Sequence, residues 1–240
     1  MKTKLTGFML AAVMFFSLAA HGAAKDAAAE SLKVQERYTV SLELQFVRKN
    51  HNGFERVMSI LDWGPNGYAT GFHIGEGLVM TAYHVVSGEV GSYKKLALGF
   101  SATDELDVRV FVNGCQAKVI SLDREGDLAL LQVCGSQKNA TVPIFQPTLN
   151  KDEKLLLIAR PHGDNILRRG TLSGPYTLNG LEYWSAKLNA RDGFSGSPVF
   201  NQQAELVGVM SGYDPSRKLA LISPAIRAKK LLDDYNLTRK

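Results

Sequence analysis

The sequence predicts an all-β protein in two barrel-sized halves, closed by one C-terminal helix. Three observations carry the expectation. Short apolar runs, many of them alternating, recur along the chain between turn residues. A polar stretch from Gly135 to Asn150, carrying Pro143 and Pro147, separates two groups of such runs. The pattern turns helical only near the end, where Pro224 can open a helix with Ser223 as its cap and Ile226, Leu231 and Leu232 on its inner side.

Taken in order, residues 1–24 stand apart from the fold. Lys2 and Lys4 precede an apolar run from Leu5 to Ala20, and Gly22, Ala23 and Ala24 then offer a cleavage site after Ala23 or Ala24. This is the pattern of a secretory signal peptide, short for a membrane span. Cleavage after Ala24 would leave 216 of the 240 residues, enough for one large or two small cores and with no stable membrane span. Loss of Lys2 and Lys4 lowers the net charge from +5 to +3, which does not argue for a nucleic-acid partner. Residues 25–37 read as an alanine-rich, charged N-terminal arm, either loose or a short helix.

Residues 38–138 form the first half. Strands are expected at Tyr38 to Val47, Phe54 to Leu61, Tyr68 to Ile74, Leu78 to Ala82, Lys95 to Phe100, Val108 to Val112, Gln116 to Leu122 and Leu128 to Val133. In the first of these, Val40, Leu42, Leu44 and Phe46 fall on one face. The last two are joined by the turn Asp123-Arg124-Glu125-Gly126. Folding that hairpin about its centre puts Cys115 opposite Cys134, a placement that can admit a disulfide and suits an exported protein. A linker follows at 139–150. The second half, 151–223, carries strands at Lys154 to Ala159, Leu167 to Leu172, Leu181 to Lys187, Ser197 to Asn201, Glu205 to Ser211 and Lys218 to Ile222. Residues 224–240 form the helix and tail.

The chemistry centres on Asp192-Gly193-Phe194-Ser195-Gly196-Ser197-Pro198. Glycines flanking a serine let the backbone turn sharply and expose main-chain N–H groups beside the hydroxyl. Alone, such a stretch is as readily an ordinary hairpin turn, so it needs a base and an acid elsewhere. Of the five histidines, His21 leaves with the signal peptide, His51 lies in a polar turn, His73 within a strand and His162 in a loop. His84 differs, because it follows the apolar strand directly in Thr81-Ala82-Tyr83-His84-Val85-Val86. Asp127 likewise opens an apolar strand in Asp127-Leu128-Ala129-Leu130. The order His, Asp, Ser differs from that of α/β-hydrolases and of subtilisins.

With these three blocks the chain resembles the trypsin-like serine proteases, in particular their bacterial HtrA and glutamyl-endopeptidase branches. Thr81 to Val86 resembles the histidine block, Asp127 to Leu130 the aspartate block and Gly193 to Pro198 the nucleophile loop. The strands at Gly170-Thr171-Leu172-Ser173 and Leu206-Val207-Gly208-Val209 add to the likeness, which runs from about Tyr68 to Ile222. It implies two six-stranded antiparallel β-barrels of the chymotrypsin type with a short C-terminal helix, and no PDZ domain. Phe194 stands where digestive relatives carry an aspartate that pairs with a newly cut N-terminus, so that form of activation is not expected.

The resemblance also implies the roles. Ser195 would be the nucleophile, His84 its base and Asp127 the group that orients the histidine. The N–H groups of Gly193 and Ser195 would form the oxyanion hole. Substrate would be a polypeptide, binding along Met210, Ser211, Gly212 and Tyr213, with Asn189 near the floor of the specificity pocket. A neutral Asn189 argues against a demand for Arg or Lys, and Tyr213 at the pocket mouth favours a small or medium apolar P1 residue. No metal or cofactor is required. The competing expectation is a catalytically inactive or latent exported peptide-binding scaffold of the same fold. An α/β-hydrolase fits poorly, since Ser197 breaks the Gly-x-Ser-x-Gly pattern and strands do not alternate with helices.

Overall fold

The computed structural model describes residues 30–49, 66–75, 77–135 and 142–239. The signal-peptide pattern, His51 and the strand expected at Phe54 to Leu61 lie outside them. Residues 30–38 form helix α1, which leads into β1 (Thr39–Arg48). The first half continues with β2 (Gly67–Gly75), β3 (Leu78–Thr81), the single turn α2 (Tyr83–Val86), α3 (Ser92–Ala97), β4 (Leu106–Val112), β5 (Cys115–Gln116), β6 (Lys118–Asp123) and β7 (Leu128–Gln132). The second half has β8 (Lys154–Ala159), β9 (Ile166–Leu178), β10 (Leu181–Lys187), β11 (Pro198–Phe200), β12 (Leu206–Asp214) and β13 (Leu219–Pro224), then helix α4 (Ala225–Thr238).

The second half is a closed six-stranded barrel, in the order β10-β13-β12-β11-β8-β9. The first half is not. It is an open seven-stranded sheet, β5-β4-β1-β2-β3-β7-β6, which overturns the expectation of two six-stranded barrels. Two local choices explain the difference. The expected strand from Lys95 to Phe100 does not form: α3 takes its first three residues with none of them buried, and Leu98 and Phe100 pack against the first cluster from beyond its end. The expected strand from Gln116 to Leu122 breaks at Ala117, so that β5 pairs with β4 while β6 pairs with β7 at the opposite end of the sheet. With four helices among the described residues, the protein is also not purely all-β.

The hairpin register shifts for the same reason. Leu122 faces Ala129, and beyond a bulge between Val119 and Ser121, Lys118 faces Gln132. Cys115 therefore lies on β5 opposite Val112 and not on the ladder with β7. The bulge and bend still bring Cys115 and Cys134 to a Cα separation of 6.0 Å, and they are joined by a disulfide.

Three apolar clusters hold the molecule. One fills the first sheet, where Val40, Leu42, Leu44 and Phe46 of β1 alternate inward as their period requires. A second fills the barrel around Leu157, Leu172, Phe194 and Ile222. The third joins the halves: Phe72, Met80 and Leu130 meet Ile158, Phe200 and Val209, with Ala228, Leu231 and Leu232 of α4 packed against them. Each fully buried Leu or Phe contributes about 1.5–3 kcal/mol, so this shared cluster fixes how the halves sit. The inner face of α4 is formed by Ala225, Ala228, Leu231 and Leu232, whereas Ile226 is half-exposed. Its N-cap is Pro224 without a side-chain bond, so Ser223 is not the cap. No helix among the described residues is long and apolar enough to cross a membrane.

Candidate active site

His84 comes from α2 directly after β3, Asp127 from the turn before β7, and Ser195 from the loop before β11. The two halves pack so that these three meet. His84 Nε2 lies 2.8 Å from Ser195 Oγ. On the other side of the ring, Nδ1 is 2.9 Å from Asp127 Oδ2 and 3.1 Å from Oδ1. The backbone N–H of His84 also donates to Asp127 Oδ1 at 2.9 Å, and the hydroxyl of Ser211 donates to Oδ2. Asp127 is buried, and its carboxylate is held by these bonds to protein. A carboxylate on Nδ1 selects the tautomer with the proton there, leaving Nε2 free to accept from Ser195. Tyr183 lies buried nearby, and burial together with the Asp127 charge pushes its phenol up.

Gly193 has φ +85°, and a Cβ there would come 2.5 Å from Cβ of Pro161. Both conformation and space demand glycine. The loop that carries Gly193 and Ser195 is then tied to the first half through Thr70, which is fully buried on β2. Its N–H donates to the Ser195 carbonyl at 3.0 Å and its hydroxyl to the Gly193 carbonyl at 2.8 Å. The same hydroxyl accepts from Arg160 N–H at 3.0 Å, and Thr81 donates to the Thr70 carbonyl at 2.8 Å. Sequence reading missed Thr70, because nothing local distinguishes it from any other strand threonine.

A cleft of about 890 Å³ opens over Ser195 and His84. Met210, Gly212 and Tyr213 line it together with Ala190 and Arg191, whose guanidinium lies 5.5 Å from the centre of the Phe194 ring. Ser211 is turned instead toward Asp127. Asn189 is exposed and is not among the residues lining the cleft. Pairing of β12 with β11 ends at Val209, and among the described residues β12 pairs only with β13 from Gly212 to Asp214. One strand edge therefore faces the cleft. Among the described residues, no group of three or more His, Cys, Asp or Glu side chains is arranged to hold a metal ion.

Residues 69–209 match the model of the trypsin-like peptidase domain. The chain belongs to the trypsin-like peptidase family. A glutamyl endopeptidase of Staphylococcus epidermidis is 27% identical over 153 residues, which cover 60% of this chain and 53% of that protein. The chain thus spans about half the length of the curated relatives it matches. Among solved structures, the Rv3671c protease from M. tuberculosis in its active form superposes with a TM-score of 0.60 at 17% identity, covering 85% of this chain and 82% of that one. A serine endoprotease from Yersinia pestis gives 0.58 at 15% identity, covering 87% and 66%. At such identities the likeness is one of fold. This trypsin-like peptidase is a serine-protease domain related to the bacterial glutamyl-endopeptidase-like proteases.

Proposed function

We propose that this trypsin-like peptidase is an exported serine endopeptidase that acts through an acyl-enzyme on Ser195. The observation that carries the reading is the unbroken hydrogen-bond chain from Ser195 Oγ through His84 to Asp127. Ser195 Oγ would bond to the scissile carbonyl carbon while His84 Nε2 takes its proton. The oxyanion so formed would accept from the N–H groups of Gly193 and Ser195. Breakage of the C–N bond then sends the His84 proton to the leaving amine. Water repeats the sequence to release the acid and restore Ser195. Asp127 would hold the ring and offset its positive charge while the proton is on it.

The substrate would be an extended polypeptide added to the free edge of β12 at Gly212 and Tyr213. Ala190, Met210 and Gly212 give the wall beside Ser195 an apolar stretch, bordered by the charged Arg191 and Asp192, and Tyr213 stands at the same wall. A small or medium apolar P1 residue fits these walls. Export is supported by the residue pattern of positions 1–24 and by the Cys115–Cys134 disulfide.

The test is fluorophosphonate labelling of the mature protein beside Ser195→Ala, read by intact mass and site mapping. A single adduct on Ser195, absent from the variant, together with loss of peptide hydrolysis in the variant, is the expected result. A folded wild-type chain that takes no label would overturn the reading in favour of a binding scaffold.

A further inference from the structure

Asp127 sits on a turn that belongs to the first half but is gripped by the second. It has φ +51°, in the left-handed region, which is costly for most side chains and less so for aspartate. Within the turn, the Asp123 carboxylate accepts from Gly126 N–H at 2.8 Å, and Asp127 N–H donates to the Arg124 carbonyl at 3.3 Å. The peptide joining Gly126 to Asp127 is thus bonded at its nitrogen from inside the turn. Its oxygen is bonded from outside, by the fully buried hydroxyl of Ser223 on β13, which donates to the Gly126 carbonyl.

A charged contact lies beside it. Arg227, in the first turn of α4, places Nη1 3.4 Å from Asp123 Oδ2 and 3.9 Å from Glu125 Oε2. The packing there is close. A Cβ on Gly126 would come 2.3 Å from Asp123 Oδ2 and 3.0 Å from Arg227 Cδ. Ser223 does not cap the helix it precedes, and its hydroxyl is spent on this turn.

Resting on the triad reading above, we infer that Ser223 and Arg227 are positioning residues for Asp127. Ser223 fixes the plane of the peptide entering Asp127, and that plane sets its φ. Arg227 holds the Asp123 carboxylate that closes the turn. With either released, the Asp127 carboxylate rotates away from His84 Nδ1 and N–H, and His84 loses its orientation toward Ser195.

The experiment compares fluorophosphonate labelling rates of Ser195 in the mature chain and in Ser223→Ala, Ser223→Thr, Arg227→Ala and Arg227→Lys. Lys229→Ala serves as the control, because Lys229 is exposed and pairs with Asp233 along the same helix. Ser223→Ala and Arg227→Ala should label about 10- to 100-fold more slowly, the effect of a small misplacement of a reacting group. Ser223→Thr and Arg227→Lys should restore most of the rate, and Lys229→Ala should match wild type. In both alanine variants the deshielded imidazole N–H proton shared with Asp127 should shift or broaden in the proton NMR spectrum, a change that loss of global stability alone does not produce in a folded protein. Alanine variants that fold and label at the wild-type rate would overturn the inference. Should Ser223→Ala not fold, the Arg227 pair at its partly exposed position decides the matter. Failure of the wild-type chain to label would instead overturn the triad reading and this inference with it.

Discussion

Thr70 and Ser195 lie in different halves of the molecule, yet the N–H of Thr70 donates to the carbonyl of Ser195 at 3.0 Å. The hydroxyl of Thr70 reaches Gly193 in the same way. The loop that carries the proposed nucleophile is therefore anchored on the sheet that carries the proposed base. Thr70→Val keeps the shape and removes the hydroxyl. It leaves the Gly193 carbonyl and Arg160 N–H without that partner, at a cost of about 1–3 kcal/mol. Labelling of Ser195 should slow by about 10- to 100-fold, and Thr70→Ser should recover it. A wild-type rate in Thr70→Val would show that the hydroxyl does not position the loop.

Gly193→Ala adds a methyl group against Pro161 and places a Cβ at φ +85°. The strain is about 1–2 kcal/mol, and relief by turning the peptide would move one oxyanion donor. Peptide hydrolysis should fall by about 10²–10³ in kcat with KM little changed. Steady-state kinetics on a peptide that the wild type cleaves check this.

The disulfide closes a loop of sequence separation 19. Replacing both cysteines by serine should cost about 3 kcal/mol, which lowers the Tm by about 6–12 °C at this chain length. Differential scanning calorimetry reads the shift. Thiol labelling of the denatured, unreduced protein should find no free thiol.

His73 is buried on β2, and among the described residues its Nδ1 has no hydrogen-bond partner. Burial pushes the imidazole below its ordinary value, against a smaller raising effect of its bond to the Leu78 backbone. The folded state therefore prefers the neutral ring. Its contribution is fully present above the unfolded value near 6.5 and is lost as pH falls through the lower folded value. The Tm should drop on acidification from neutrality, and His73→Gln should flatten that part of the curve.

Tyr213 is half-exposed at the cleft mouth. Tyr213→Gly should widen the accepted P1 residues toward larger apolar side chains in a peptide-library profile. A wild-type profile dominated by Arg or Lys would remove the apolar assignment itself.

His84, Asp127 and Ser195 were legible because each stands in a short block at the end of an apolar run, where strand pattern and special residue meet. Thr70, Ser223 and Arg227 were not, since their partners lie about a hundred residues away and leave no local trace. The alternation in Lys95 to Phe100 looked like a strand, but α3 takes its first three residues instead. Ser223 matched the pattern of a helix cap, yet a buried carbonyl of the first half took its hydroxyl. The open first sheet was likewise hidden, because a bend at Ala117 depends on which edges are free and not on the residues of the run. Asn189, a position carried over by resemblance, is exposed and not among the residues that line the cleft.

The apolar cluster shared by the halves bears on how long such an enzyme would last. A protease in solution is exposed to its own copies, and a strand locked in a sheet cannot lie extended in another molecule's cleft. Parting of the halves would present new cleavable segments and at the same moment separate Ser195 from His84. Self-digestion would then require one intact copy to catch another while open. The lifetime of the protein would follow the rate and extent of that opening, a kinetic quantity, more than the strength of any single bond.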